Sequence, residues 1–118
     1  MYQATDQRRS ASEFAKDLTL AEMVRRLVEA LQPQGIYLFG SRARGDNKED
    51  SDYDLLLIID AERDHLHELS VFGRGVLADV RASIDILVMR PDYFATRTKV
   101  CTSLTATVLE EGVLLYAV

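Results

Sequence analysis

At 118 residues the chain is long enough for one buried core and too short for two, so a single domain is expected. Its 47% hydrophobic and 28% charged residues match a globular protein rather than a disordered one, and no apolar run approaches the length of a bilayer span. A net charge of -5 argues against direct nucleic-acid binding, which draws its affinity from basic side chains, although a cluster of metal-binding carboxylates would by itself make a chain acidic. The single cysteine, Cys101, cannot form an internal disulfide and falls on an apolar helical rhythm, so it reads as core. The opening MYQATDQRRSASEF lacks the pattern of a secretory signal, and together these features lead to the expectation of a cytoplasmic protein.

In chain order, residues 1–18 are polar with scattered apolar positions and read as an arm or short helix ahead of a domain over residues 19–118. Thr19 and Glu22 have the spacing of a capping box, and Met23, Val24, Leu27, Val28 and Leu31 then recur at helical intervals until Pro33 and Gly35 stop them. Ile36 to Phe39 is a short β-prone run that ends at Gly40 and gives way to a polar loop reaching Ser51. Tyr53 to Ile59 reads as a second strand, apolar on both faces beyond Asp54 and therefore central. Leu66, Leu69, Phe72, Val76 and Val80 predict a helix, weakened by Gly73 and Gly75, and Ser83 to Met89 predicts a third strand. Pro91 suits the first turn of a last helix with Phe94, Cys101, Leu104 and Val108 as its core stripe and Gly112 as its C-cap, before a fourth strand at Val113 to Tyr116. The order predicts an α/β (α+β) fold, a small four-stranded sheet flanked by helices.

The chemistry concentrates in three carboxylates. Asp52 and Asp54 lie two apart at a strand start, so the strand period sends both to one face while Tyr53 points the other way. Asp85 interrupts the third apolar strand, where a lone carboxylate is costly to bury. If the two strands are neighbours, the three groups converge, and their mutual repulsion calls for divalent cations. Oxygen donors without cysteine or histidine favour Mg2+, with Mn2+ as a substitute. Two ions roughly 3.5 to 4 Å apart would serve an in-line displacement at phosphorus, Asp52 and Asp54 holding both and Asp85 completing the site on the attacking side. Upstream, Gly40 and Ser41 form a tight turn in which backbone N–H groups can approach a phosphate, and a helical turn over residues 41–45 would add its dipole.

Gly40-Ser41-Arg42-Ala43-Arg44-Gly45, then Ser51-Asp52-Tyr53-Asp54-Leu55, then Asp85 one strand later, resembles the signature of the polymerase-beta-like nucleotidyltransferase superfamily, in particular its minimal branch. An Asp-x-Asp pair alone is common by chance; the two motifs joined to the later Asp are specific. The resemblance spans roughly residues 20 to 118. It implies a mixed sheet, Mg2+ ions on Asp52, Asp54 and Asp85 as catalytic and metal residues, and ATP as substrate, its triphosphate near Gly40 and Ser41, with Arg42 and Ser51 as further candidates. It also implies an antitoxin that pairs with a HEPN ribonuclease toxin in a hetero-oligomer and attaches AMP to a toxin tyrosine. Two other readings accompany it: a non-catalytic antitoxin acting by binding, and a catalytic subunit that modifies a small molecule or RNA.

The remaining candidates have blander readings. Arg42 and Arg44 would bind phosphate or an acidic partner, or be solvated. His65 and His67 lie two apart on a helix and do not face each other, so they belong on the surface. Tyr37, Tyr93 and Tyr116 read as core or sheet residues rather than acceptors.

Overall fold

In a computed structural model of the chain, residues 17–97 and 104–118 are described. Helix α1 (Leu18–Leu31) is followed by strand β1 (Gly35–Phe39), the one-turn helix α2 (Ser41–Arg44) and strand β2 (Tyr53–Ile58). A 3-10 turn (Arg63–His65) leads into helix α3 (Leu66–Val76) and strand β3 (Ile84–Met89). Helices α4 (Pro91–Arg97) and α5 (Leu104–Glu111) precede the last strand, β4 (Val113–Ala117).

The expected four-stranded sheet forms in the order β3-β2-β1-β4. β1 is antiparallel to β2 and β4, whereas β2 and β3 run parallel. A parallel pair needs a crossover connection, and α3 provides it. The central place of β2 follows from its sequence: Leu55 and Leu57 on one face and Leu56 on the other are all fully buried. The first face packs against α1 and α3 through Leu20, Met23, Leu27 and Ile86, and the second against Val108 of α5 and Phe94 of α4. Among the described residues no helix is long and apolar enough to cross a membrane.

Three local expectations are corrected. The cap of α1 is Asp17, whose Oδ1 accepts from the Leu20 N–H at 3.0 Å, so Thr19 lies inside the helix. Glu22 pairs instead with Arg25 at 2.8 Å and Arg26 at 2.7 Å, and those guanidiniums hold its carboxyl down at about 2. Asp17 wins because starting earlier lets one carboxylate cap the helix with Oδ1 and accept the Tyr53 hydroxyl with Oδ2 at 2.8 Å.

In α3, Phe72 is 54% exposed rather than core, and Gly73 is buried in its place. Leu66, Leu69, Gly73 and Val76 follow the helical period, from which Phe72 is displaced. A Cβ on Gly73 would lie 3.3 Å from Ile86 Cδ1 and 3.5 Å from Leu27 and Leu31, so the glycine lets α3 close on α1 and β3. The single last helix is two helices, α4 and α5; Cys101 lies outside the described residues, and Leu104 is 45% exposed. Gly112 follows α5 as expected, its N–H donating to Val108 O at 2.7 Å.

Replacing Asp17 by Ala removes a helix cap and leaves the buried Tyr53 hydroxyl without its acceptor. The expected loss is about 2 kcal/mol in urea unfolding. Tyr53→Phe, which keeps the cap, should cost less than Asp17→Ala in the same measurement.

Candidate active site

The site lies where β1 ends and β2 and β3 begin. Phe39 pairs with Asp54 across the antiparallel β1–β2 ladder, so the turn that follows Phe39 passes directly over the Asp54 side chain. Gly40 makes that turn with φ 74° and ψ -158°, a region essentially closed to residues with a side chain. A Cβ built on Gly40 would collide with Asp54 Oδ2 and approach its Cγ to 3.1 Å. Glycine is therefore required twice over, for the backbone angle and for the carboxylate beneath it. α2 follows at once as the expected helical turn, the Ala43 and Arg44 N–H groups both donating to Gly40 O at 3.1 Å.

Asp54 and Asp85 are direct partners in the parallel β2–β3 register. Residues so paired point to the same side of a sheet, so the two carboxylates share a face. Asp52, exposed one residue before β2, is directed to that side by the strand alternation. Tyr53 turns the other way and is buried, its hydroxyl donating to Asp17. Burial, then the nearby charges of Asp52 and Asp85, push the Asp54 carboxyl above the usual aspartate range, with Arg44 opposing.

Among the described residues, no three acidic or histidine side chains stand close enough in this arrangement to hold a metal ion. Asp85 is turned toward Arg74, whose Nη2 donates to Asp85 Oδ1 at 3.1 Å. The donor chemistry nevertheless fits a divalent cation. Three carboxylates share one sheet face, and Asp54 carries the repulsion that a cation would relieve.

Arg42 is engaged with the loop that carries the aspartates. Its Nε donates to Ser51 O and its Nη2 to Glu49 O, both at 2.9 Å, while Cζ lies 4.0 Å from the centroid of the Tyr53 ring. Ser51 Oγ accepts from the Lys48 N–H at 2.8 Å, closing the same loop. Arg44 pairs with Asp46 at 3.2 Å and Glu111 at 3.4 Å. Ser41, half-exposed, opens α2 beside Gly40. His65 and His67 are exposed as expected; Tyr37 stacks on Phe94 with centroids 5.4 Å apart, and Tyr116 packs against the core. Tyr93 is 51% exposed, which corrects its placement in the core: it leaves the apolar face of a short helix whose inward position is taken by Phe94. The partner of Asp85, Arg74, carries no signal in the linear pattern, because the contact arises from the packing of α3 beside β3.

The model of the nucleotidyltransferase domain family matches residues 20–115, and the chain belongs to that family. A protein of Methanocaldococcus jannaschii named "Putative protein adenylyltransferase" is 37% identical over 81 residues, covering 69% of this chain and 76% of its own length. The crystal structure named as a "putative nucleotidyltransferase from Sulfolobus solfataricus" superposes with a TM-score of 0.60 at 22% identity, covering 97% of this chain and 93% of the other. The toxin-antitoxin complex MntA-HepT contains a chain similar at TM-score 0.50 and 19% identity, over 87% of this chain and 74% of that one. A toxin-antitoxin structure with AMP-PNP matches at TM-score 0.50 and 20% identity, over 87% and 74%. These structures share the fold of this chain, and the chain is a nucleotidyltransferase.

Two outcomes follow from the packing of Gly40 on Asp54. Gly40→Ala should cost about 2 kcal/mol in thermal or urea unfolding, from the forced backbone angle, and should abolish nucleotidyl transfer by displacing the Asp54 carboxylate. Asp54→Asn should also abolish transfer but melt at a higher temperature than the natural chain at pH 7. Because the Asp54 carboxyl titrates higher when folded, its ionised form opposes folding at neutral pH, and that cost disappears as pH falls and the group protonates. The difference in melting temperature should therefore close on acidification.

Proposed function

We propose that the chain transfers AMP from ATP to a hydroxyl of a partner protein, a tyrosine of a HEPN-type ribonuclease toxin, and thereby acts as that toxin's antitoxin in a hetero-oligomer. The observation that carries this reading is the register of Asp54 against Asp85 beneath Gly40. A protein acceptor is supported by the relative named as an adenylyltransferase of proteins, and a toxin partner by the similar chains in toxin-antitoxin complexes.

Asp52 and Asp54 would hold two Mg2+ ions, or Mn2+, and Asp85 would join the ion on the acceptor side. Bound there, the ions would supply charge neutralisation at the attacking and leaving oxygens. Gly40 and Ser41 would receive the triphosphate, the missing side chain of Gly40 allowing close backbone approach. Arg42 and Ser51 would serve from behind, holding the loop so that Asp52 and Asp54 keep their positions. The acceptor oxygen attacks the α-phosphorus in line and the bond from that phosphorus to the bridging α–β oxygen breaks. Pyrophosphate leaves with the bonding pair, and a phosphodiester to the acceptor forms. Asp85, on the acceptor side, would take the hydroxyl proton.

The test is mass spectrometry of a HEPN toxin co-expressed with this chain. One added AMP unit on a toxin tyrosine is expected, absent with Asp52→Asn or Asp54→Asn, with toxicity restored. Neutralisation that persists without modification would overturn the enzymatic antitoxin in favour of one acting by binding. Nucleotide found on RNA or a small molecule would overturn the protein acceptor.

A further inference from the structure

Gly73 lets α3 pack tightly on Ile86 of β3, and the next residue, Arg74, is thereby set beside the sheet edge that β3 forms. Ile86 belongs to the core shared with α1 and α3, so α3 covers the face opposite Asp85. The Arg74 side chain passes that edge and reaches Asp85 Oδ1 on the other face, at 3.1 Å. Both side chains are more than half exposed, and pairs of that kind contribute little to folding stability. An arginine that crosses from one face of the sheet to the other for so weak a structural return has a better use in orienting the carboxylate.

We propose that Arg74 is a positioning residue for Asp85: it engages one carboxylate oxygen, limits rotation of the side chain, and leaves the second oxygen for a divalent cation shared with Asp54. This rests on the metal reading given under the proposed function. Partners that hydrogen-bond a ligating carboxylate typically change metal affinity by about 10- to 100-fold when removed. The opposing effect, repulsion between the guanidinium and the cation, is weakened by the high dielectric of so exposed a position and is offset by the carboxylate charge between them.

The experiment titrates Mn2+ into the full chain with a non-hydrolysable ATP analogue present, reading free Mn2+ by electron paramagnetic resonance. Arg74→Ala should weaken Mn2+ binding about tenfold with the melting temperature unchanged, and Arg74→Lys should recover part of the loss. In an Asp85→Asn background, Arg74→Ala should add nothing, because its effect runs through that carboxylate. Equal or tighter Mn2+ binding by Arg74→Ala, or an undiminished further loss in the Asp85→Asn background, overturns the proposal. A natural chain without Mn2+ affinity overturns the metal reading and this inference together, whereas normal binding that is indifferent to Arg74 overturns this inference alone.

Discussion

Asp54 is held between a neighbouring carboxylate and a backbone turn, and the rest of the structure is arranged to keep it there. Its partner across the parallel ladder is Asp85, Asp52 adds a further negative charge nearby, and Gly40 lies against its carboxylate oxygen. Burial and like charges oppose ionisation, so the group sits above the usual aspartate range. A fold chosen for stability alone would separate these groups. Strained electrostatics of this kind cluster at functional sites, where a ligand relieves them.

The arrangement makes demands on the chain elsewhere. Asp54 meets Asp85 in register across β2 and β3, which run parallel, and a parallel pair requires a crossover, here α3, with a core on both faces of β2. The run Leu55 to Ile58 satisfies that requirement, each of its side chains being buried. Gly73 contributes by letting α3 lie close against β3, where an added Cβ would come within 3.3 Å of Ile86 Cδ1. A residue that lowers helix propensity thus serves the packing of two elements.

Behind the carboxylates, the strand alternation that turns the aspartates outward turns Tyr53 inward, where it links two parts of the chain. Its hydroxyl meets the Asp17 cap of α1, and its ring lies under the Arg42 guanidinium that binds the backbone of the aspartate loop. One residue thus ties the start of α1 to the loop between β1 and β2. The strand thus presents carboxylates on one face and this supporting tyrosine on the other.

Much of this was legible in the linear chain. The element order apart from the division of the last helix into α4 and α5, the central place of β2, the glycine turn and the pairing of Asp52 with Asp54 follow from periodicity and residue type, which act locally. The face of Asp85, the cap at Asp17, the burial of Gly73 instead of Phe72 and the bond from Arg74 to Asp85 were decided by tertiary structure. Each depends on which elements become neighbours and in what register, and a period of two or 3.6 residues describes one element at a time. Local chemistry chose the carboxylates, and packing between distant segments set Asp54 and Asp85 side by side on one face of the sheet.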